Sequence, residues 1–373
     1  MKGFFTLLFT LTLFTVSAQA PQGYYDNAQG LTGFQLKTAL KNIIDDVDDG
    51  NGQPFHNPQP YSDLDNAYPQ PNSGFRDEYT SFDNDGFLLD IYSENPIGTD
   101  PYNHVLVSDE CGNYNAEGVC YNKEHLLPQS IFNQQMPMRG DIHYVFPTDG
   151  QVNGYRSNFP FGEVNTPNLT TQNGSKRGPN VYPGYAGTVF EPLDEFKGDI
   201  ARGLLYFATR YEDQTNTSGW DNPDDNVLNQ NSSQFYDDWY IDMLLDWHVN
   251  DPVSPEELDR NNNGFSHQNN RNPFIDNPNF ALAIWDEDFS NQTFNNYDVL
   301  IFPNPVVGQF LNIKTRNISS YTLQIFNLFG KEIFSQDVKN NIIKVSVENW
   351  SSGIYLIKIK NSKFQETRKI IIP

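Results

Sequence analysis

Cysteine is scarce in this chain: Cys111 and Cys120 are the only two in 373 residues. A zinc site around them would find just one further candidate ligand nearby, His104, so a metal-built module is excluded there. Positive charge is scarce as well. The 24 Lys and Arg face 47 Asp and Glu, a formal net charge of -23. That balance excludes a generic basic coat for nucleic acid or anionic membranes, though not a local basic site. Apolar runs of the ~18–20 residues needed to cross a bilayer are missing. Neither H-E-x-x-H nor G-x-S-x-G occurs, which removes the zincin helix and the serine nucleophile elbow. What is present is a hydrophobic fraction of 37% with 28 Phe and 20 Tyr. That is enough to build cores, and it excludes wholesale disorder.

The N-terminus has one Lys, an apolar run from Phe4 to Val16, and Ser17-Ala18-Gln19-Ala20. This is the pattern of a secretory signal peptide over residues 1–20, with cleavage expected after Ala20. In an exported chain, Cys111 and Cys120 then read as a single disulfide.

Two further regions differ in charge and in period. Residues 297–373 hold ten Lys/Arg and five Asp/Glu, whereas residues 1–296 hold 14 and 42. Helical spacing recurs in the first region at Leu36, Leu40 and Ile43, at Phe196, Ile200, Leu204 and Phe207, and at Phe235, Trp239 and Met243. Segments 45–75, 160–186 and 212–232, rich in Asn, Asp, Pro and Gly, predict loops. Past residue 297 apolar residues alternate, as in Tyr321, Leu323 and Ile325 and in Tyr355, Ile357 and Ile359, which predicts a small all-β sandwich. Its Phe302-Pro303-Asn304-Pro305, Ile325-Phe326-Asn327-Leu328-Phe329-Gly330-Lys331 and Gly353-Ile354-Tyr355-Leu356 blocks resemble the C-terminal sorting domain of the type IX secretion system. The resemblance implies passage across an outer membrane by that machinery, followed by removal of the tail or its exchange for a surface anchor.

The densest chemistry lies between Tyr121 and Asn158. Glu124 and His125 are adjacent, and on an extended segment they point to opposite sides, so one can hold a metal while the other faces a substrate. A carboxylate from Glu124 with an amide oxygen from Asn153 suits Mg2+, which keeps several waters and takes few protein ligands. His125 can accept a proton from water at neutral pH. Asp149 or Thr148 can cap a helix that places Asn153 and Arg156 on one face. Arg156 would then offer a fork suited to phosphate. Metal, base and anion clamp together describe one-metal phosphodiester hydrolysis. Asp141 and His143 read as a buried hydrogen-bonded pair.

The E-H-x-x-P-x-S, D-I-H and T-D-G-x-V-N-x-x-R-S-N-x-P-F-G blocks within residues 121–164 resemble the endonuclease I family. Gly198-Asp199-Ile200-Ala201-Arg202, Trp247-His248, Asp251-Pro252-Val253-Ser254 and Asn270-Arg271-Asn272-Pro273-Phe274 extend the similarity over about residues 24–287. The resemblance implies an α+β nuclease domain over 21–296 with a ββα-metal (His-Me finger) core and surrounding helices, followed by the β-sandwich. It also implies a single Mg2+ on Glu124 and Asn153, with Ca2+ or Mn2+ as alternative ions, and His125 as general base. In some relatives an arginine between His125 and the Asp141 block contacts the scissile phosphate; here that segment is shorter and only Arg139 is available. The expected substrate is DNA, with RNA as an extension, cut with little sequence preference to leave 5′-phosphates by a protein acting as a monomer. A catalytically silent nucleic-acid-binding or adhesin module is the alternative from another class.

Two details complete the expectation. Residues 121–202 hold seven basic and eight acidic residues, so the proposed cleft is near neutral inside an acidic domain. Asp259-Arg260-Asn261-Asn262-Asn263-Gly264 imitates an EF-hand start but has Asn270 at position twelve, and reads as a helix end with a turn.

Overall fold

A computed structural model describes residues 20–48, 50, 52–79, 84–214, 220, 227–286, 298–302, 306, 310–316, 320–327, 330–340, 342–348, 350–361 and 365–372. The signal-peptide segment 1–19 lies outside the described residues, as do Pro303–Pro305 and Leu328–Phe329 of the tail motifs. The chain divides after residue 290 into two compact units.

The first unit is organised around a buried helix, α4 (Lys197–Arg210), whose described residues are all buried. A helix that is covered all round belongs to the interior of a large domain, and α4 packs on α1 (Gly33–Ile44), α5 (Asp238–Asn250) and α7 (Pro273–Asp276). Leu36, Leu40 and Ile43 of α1 and Ile200, Leu204 and Phe207 of α4 are all buried, as their spacing predicts. Helix α5 begins only at Asp238. Phe235, placed in the same periodic run by its spacing, precedes it with φ of 78°. Helix α6 (Pro255–Gln268) starts with a full capping box between Ser254 and Glu257 and a Pro at its first turn. The Asp259–Gly264 run therefore lies inside this helix and does not end it. Buried Asn261 is held by the backbone of Asn272, and the helix stops at Asn269 in a left-handed conformation.

Against α4 lies a two-stranded antiparallel hairpin, β1 (Tyr121–His125) and β2 (Val145–Asp149), followed without a break by α3 (Gly150–Arg156). Gly203 of α4 sits where a Cβ would come within 2.6 Å of Leu126 Cδ1 and 3.3 Å of the His143 carbonyl oxygen, so the helix approaches the end of β1 closely here. A small sheet of β3 (Leu169–Thr170), β4 (Lys176–Pro179) and β5 (Thr188–Glu191) follows. Two of these strands fall in the 160–186 segment expected to be loop. Lys-Arg-Gly-Pro has no apolar alternation, and its strand state comes from pairing with Val189 and Phe190 of buried β5.

The second unit is all β. Strands β6 (Asp298–Phe302), β7 (Phe310–Arg316) and β10 (Ile342–Ser346) form one sheet. Strands β8 (Tyr321–Asn327), β9 (Glu332–Val338), β11 (Gly353–Lys360) and β12 (Gln365–Ile372) form the other. Leu311, Ile313, Leu323, Ile325, Ile357 and Ile359 share one core between them. At roughly 1.5–3 kcal/mol for each fully buried aliphatic side chain, this alternation accounts for the sandwich.

Candidate active site

The β1–β2 register pairs Tyr121 with Asp149 and His125 with Val145, so α3 begins beside the start of β1 and runs toward its end. Asp149 caps α3, its Oδ1 accepting from the backbone N–H groups of Gln151 and Val152 at 2.9 Å. Its Oδ2 accepts from Gly118 N and faces His104 Nε2 at 3.2 Å. Gly118 belongs to the segment closed by the Cys111–Cys120 disulfide. Tyr114 of the same segment lies against α3 where a Cβ on Gly150 would come within 2.6 Å of its ring.

Strand alternation sends Asn122 and Glu124 to one side of β1 and Lys123 and His125 to the other. Helix α3 covers the first side. Asn153 Nδ2 donates to Asn122 Oδ1 at 2.7 Å, and Arg156 Nη1 lies 3.0 Å from Glu124 Oε1. The three-residue spacing thus does put Asn153 and Arg156 on one helix face, both turned to β1. Glu124 is 2% exposed, and Tyr92 Oη donates to the same Oε1 at 2.9 Å. Burial pushes the Glu124 carboxyl above its ordinary range, opposed by the Arg156 charge and the Tyr92 hydrogen bond.

On the other side, His125 Nε2 is 3.0 Å from the carbonyl oxygen of Arg139. A carbonyl only accepts, so this nitrogen carries the hydrogen and Nδ1 is left as the basic atom. The ring is stacked on Tyr61, with centroids 5.7 Å apart and planes at 21°, and its edges meet Phe132 and Tyr144 of the aromatic core. Burial, with lesser contributions from the Arg139, Arg156 and Lys123 charges, lowers its pKa to about 4. The imidazole is therefore neutral at physiological pH, the state a proton acceptor needs.

The two arginines differ. Arg156 is 2% exposed. It donates to the carbonyls of His125 and Leu126 at 3.1 and 2.5 Å, and its plane covers Phe161 at 4.7 Å. Its fork is thus occupied by the end of β1 and by Glu124 rather than presented to a ligand. Arg139 is only half-buried and stacks over Tyr61 at 4.5 Å. Among the described residues it makes no ion pair, and its Nε has no hydrogen-bond partner. Lys123 also lies over Tyr61, but is paired with Asp65 and Glu110. Asp141 and His143 are both buried and hydrogen-bonded to each other, the backbone N–H of His143 donating to Asp141 Oδ1 at 3.1 Å. Asp141 accepts from Tyr206, Tyr211 and Gln268, while His143 Nε2 donates to the Asn270 carbonyl.

A divalent cation fits the chemistry of this donor set. Because Asn153 spends an amide N–H on Asn122, its Oδ1 would be the atom left to coordinate, and Glu124 would add a carboxylate oxygen from the neighbouring strand. Among the described residues no group of three or more His, Cys, Asp or Glu forms a metal cluster. One carboxylate and one amide leave most positions to water, as Mg2+ prefers. Three residues escaped the sequence reading: Tyr92, Asn122 and Tyr61. Asn122 stands two positions before Glu124, which places it on the ligand face of any strand there. Tyr92 comes from a distant loop and Tyr61 from a short 3-10 turn (Tyr61–Asp63), and neither leaves a local mark.

Residues 32–279 match the family described as Endonuclease I, and residues 300–373 match the secretion system C-terminal sorting domain. The chain is 32% identical over 265 residues to an extracellular ribonuclease of Bacillus subtilis, an alignment covering 70% of this chain and 78% of that protein. It is 33% identical over 269 residues to an extracellular ribonuclease of Bacillus amyloliquefaciens, with the same coverage. A 74-residue stretch is 34% identical to part of ulvan lyase NLR42 of Nonlabens ulvanivorans, covering 19% of this chain and 14% of that enzyme.

Proposed function

Since the chain belongs to the Endonuclease I family and is an exported nuclease, we propose that it hydrolyses internal phosphodiester bonds of DNA and RNA with little base preference, using Mg2+ and His125. In this reading Glu124 and Asn153 hold the cation, which when bound supplies charge stabilisation at the phosphate and the leaving oxygen. His125 Nδ1 takes a proton from a water as its oxygen bonds to phosphorus. The bond from phosphorus to the 3′ oxygen breaks, that oxygen is protonated from solvent, and the products carry 5′-phosphate and 3′-hydroxyl ends. Arg139 contacts a non-bridging oxygen, while Arg156 positions Glu124.

The observation that carries the proposal is the way two consecutive residues of one strand are aimed. Glu124 is held by Tyr92 and Arg156, and His125 is held by the Arg139 carbonyl and the Tyr61 ring. A surface pair with no function would not require four separate orienting contacts. The extension to RNA is supported by the names of the two Bacillus relatives.

The test incubates the full chain with plasmid DNA and with a structured RNA, in Mg2+ and in EDTA, beside His125→Ala. Metal-dependent cleavage that disappears in the variant is expected. A folded wild type that binds but cuts neither substrate would leave the silent binding module in its place.

A further inference from the structure

Thirteen lysines and arginines lie between residues 21 and 286, and eleven of them are ion-paired with carboxylates. Among the described residues, Arg139 and Arg177 make no such pair. In so acidic a unit this is unexpected for an idle cation, because a mobile arginine on a surface rich in Asp and Glu finds a carboxylate. Both are instead stacked on an aromatic ring: Arg139 on Tyr61 at 4.5 Å, Arg177 on Phe159 at 5.5 Å. Stacking fixes the guanidinium plane and leaves its N–H groups directed outward along the edge.

Each is joined to an element that carries the site. Arg139 is tied to His125 through its backbone carbonyl. Arg177, on β4, donates from Nη1 to the carbonyl of Tyr155 at 3.0 Å. Tyr155 stands between Asn153 and Arg156 on α3, and Arg156 is bonded to the carbonyls at the end of β1. Arg139 is thus joined to the end of β1 through His125, and Arg177 to the C-terminal turn of α3, the helix that carries Asn153 and Arg156. One Nη of Arg177 is spent on the helix end; Nε and the second Nη form a remaining fork of the kind that binds phosphate in a bidentate manner.

We propose that Arg177 is a substrate-binding residue that contacts a backbone phosphate flanking the one that is cut. The proposal rests on the nuclease reading above. It explains how a unit with so large an acidic excess holds a polyanion: the other cations are paired with carboxylates, and the two left over are joined to the strand and the helix that carry the site residues. Contacts of this type position the strand without reading its bases.

The test compares wild type, Arg177→Gln and Arg177→Lys as full chains. Steady-state cleavage is measured, and binding of a labelled single-stranded oligonucleotide is followed by fluorescence anisotropy in a His125→Ala background over roughly 50–200 mM salt. With Gln, the loss should fall on KM and Kd, about tenfold, rather than on kcat. The slope of log Kd against log salt should shrink by about 0.7. Lys should keep the slope. A Gln variant with the wild-type slope overturns the proposal, and a lowered Tm beside that unchanged slope would make Arg177 only a cap for α3. If Gln prevents folding, phenylglyoxal modification of Arg177 in the wild type decides. Protection by the oligonucleotide supports the contact, and equal rates with and without it overturn the contact. A wild type that neither binds nor cuts nucleic acid would instead defeat the nuclease reading itself.

Discussion

Replacing Arg156 by Ala separates a residue that supports the site from one that clamps substrate. In the wild type its guanidinium neutralises Glu124 at 3.0 Å and caps the carbonyls of His125 and Leu126, all out of contact with water. Alanine would leave a buried carboxylate without its cation and two carbonyls without these donors. Removing one partner of a buried pair costs about 3–5 kcal/mol. The upper end is not expected, because Glu124, already pushed upward by burial, can take up a proton in place of a naked charge. At about 2–4 °C per kcal/mol for a unit of this size, the melting transition should fall by roughly 10 °C. Tryptophan fluorescence would follow it, since Trp220, Trp239, Trp247 and Trp285 lie in this unit. Mg2+ should recover part of the loss by supplying the missing positive charge. A variant that melts within about 1 °C of wild type yet has lost cleavage would refute the reasoning and make Arg156 a phosphate ligand.

Two other outcomes follow from the geometry. Tyr92→Phe removes the hydrogen bond to Glu124 Oε1 without changing the ring, and should weaken Mg2+ binding about tenfold in a calorimetric titration of the His125→Ala protein; unchanged affinity would mean that Tyr92 does not orient the carboxylate. His248, buried with Nε2 donating to the Pro278 carbonyl, is lowered to about 4 chiefly by desolvation. The unfolded chain, with an ordinary histidine near 6.5, binds the extra proton first, so the stability contributed at neutral pH is lost as pH falls from about 6.5 toward 4. His248→Gln should therefore gain on wild type over that window, by up to about 2 kcal/mol at pH 5 in urea titrations, and parallel pH profiles would show that His248 does not titrate between the two states.

What could be read from the sequence was what depends on near neighbours along the chain. Glu124 and His125 diverge because they are adjacent in a strand; Asn153 and Arg156 share a face because they are three apart in a helix. The Leu36, Leu40 and Ile43 stripe and the alternation in β8 and β11 are periodic facts of the same kind. What was illegible depends on closure over long separations. Arg156 has the composition of a phosphate clamp, and only the packing of α3 on β1 shows its Nη1 and Nη2 turned to the carbonyls at the end of the strand. Tyr92, 32 residues before Glu124, reaches the site from a loop, and Tyr61 beside His125 from a 3-10 turn within a segment whose composition predicts loop. The strand at Lys176–Pro179 and the burial of Asn261 within α6 likewise depend on partners elsewhere in the fold.

The alternation of β1 also sets which lengths of chain the site can tolerate. Adding or deleting one residue between Tyr121 and His125 would exchange the two faces, turning the base toward α3 and the carboxylate toward Tyr61. A change of two would restore the faces but carry both groups along the hairpin, away from Arg139 and Asn153. Length in the strand is therefore counted residue by residue. The connection from Leu126 to Tyr144 obeys a looser rule, since its demand on His125 is one carbonyl oxygen and the ring edges of Phe132 and Tyr144. Insertions there can grow outward as surface loops while those contacts stay in place, so divergence in length should gather in that connection and spare the five residues before it.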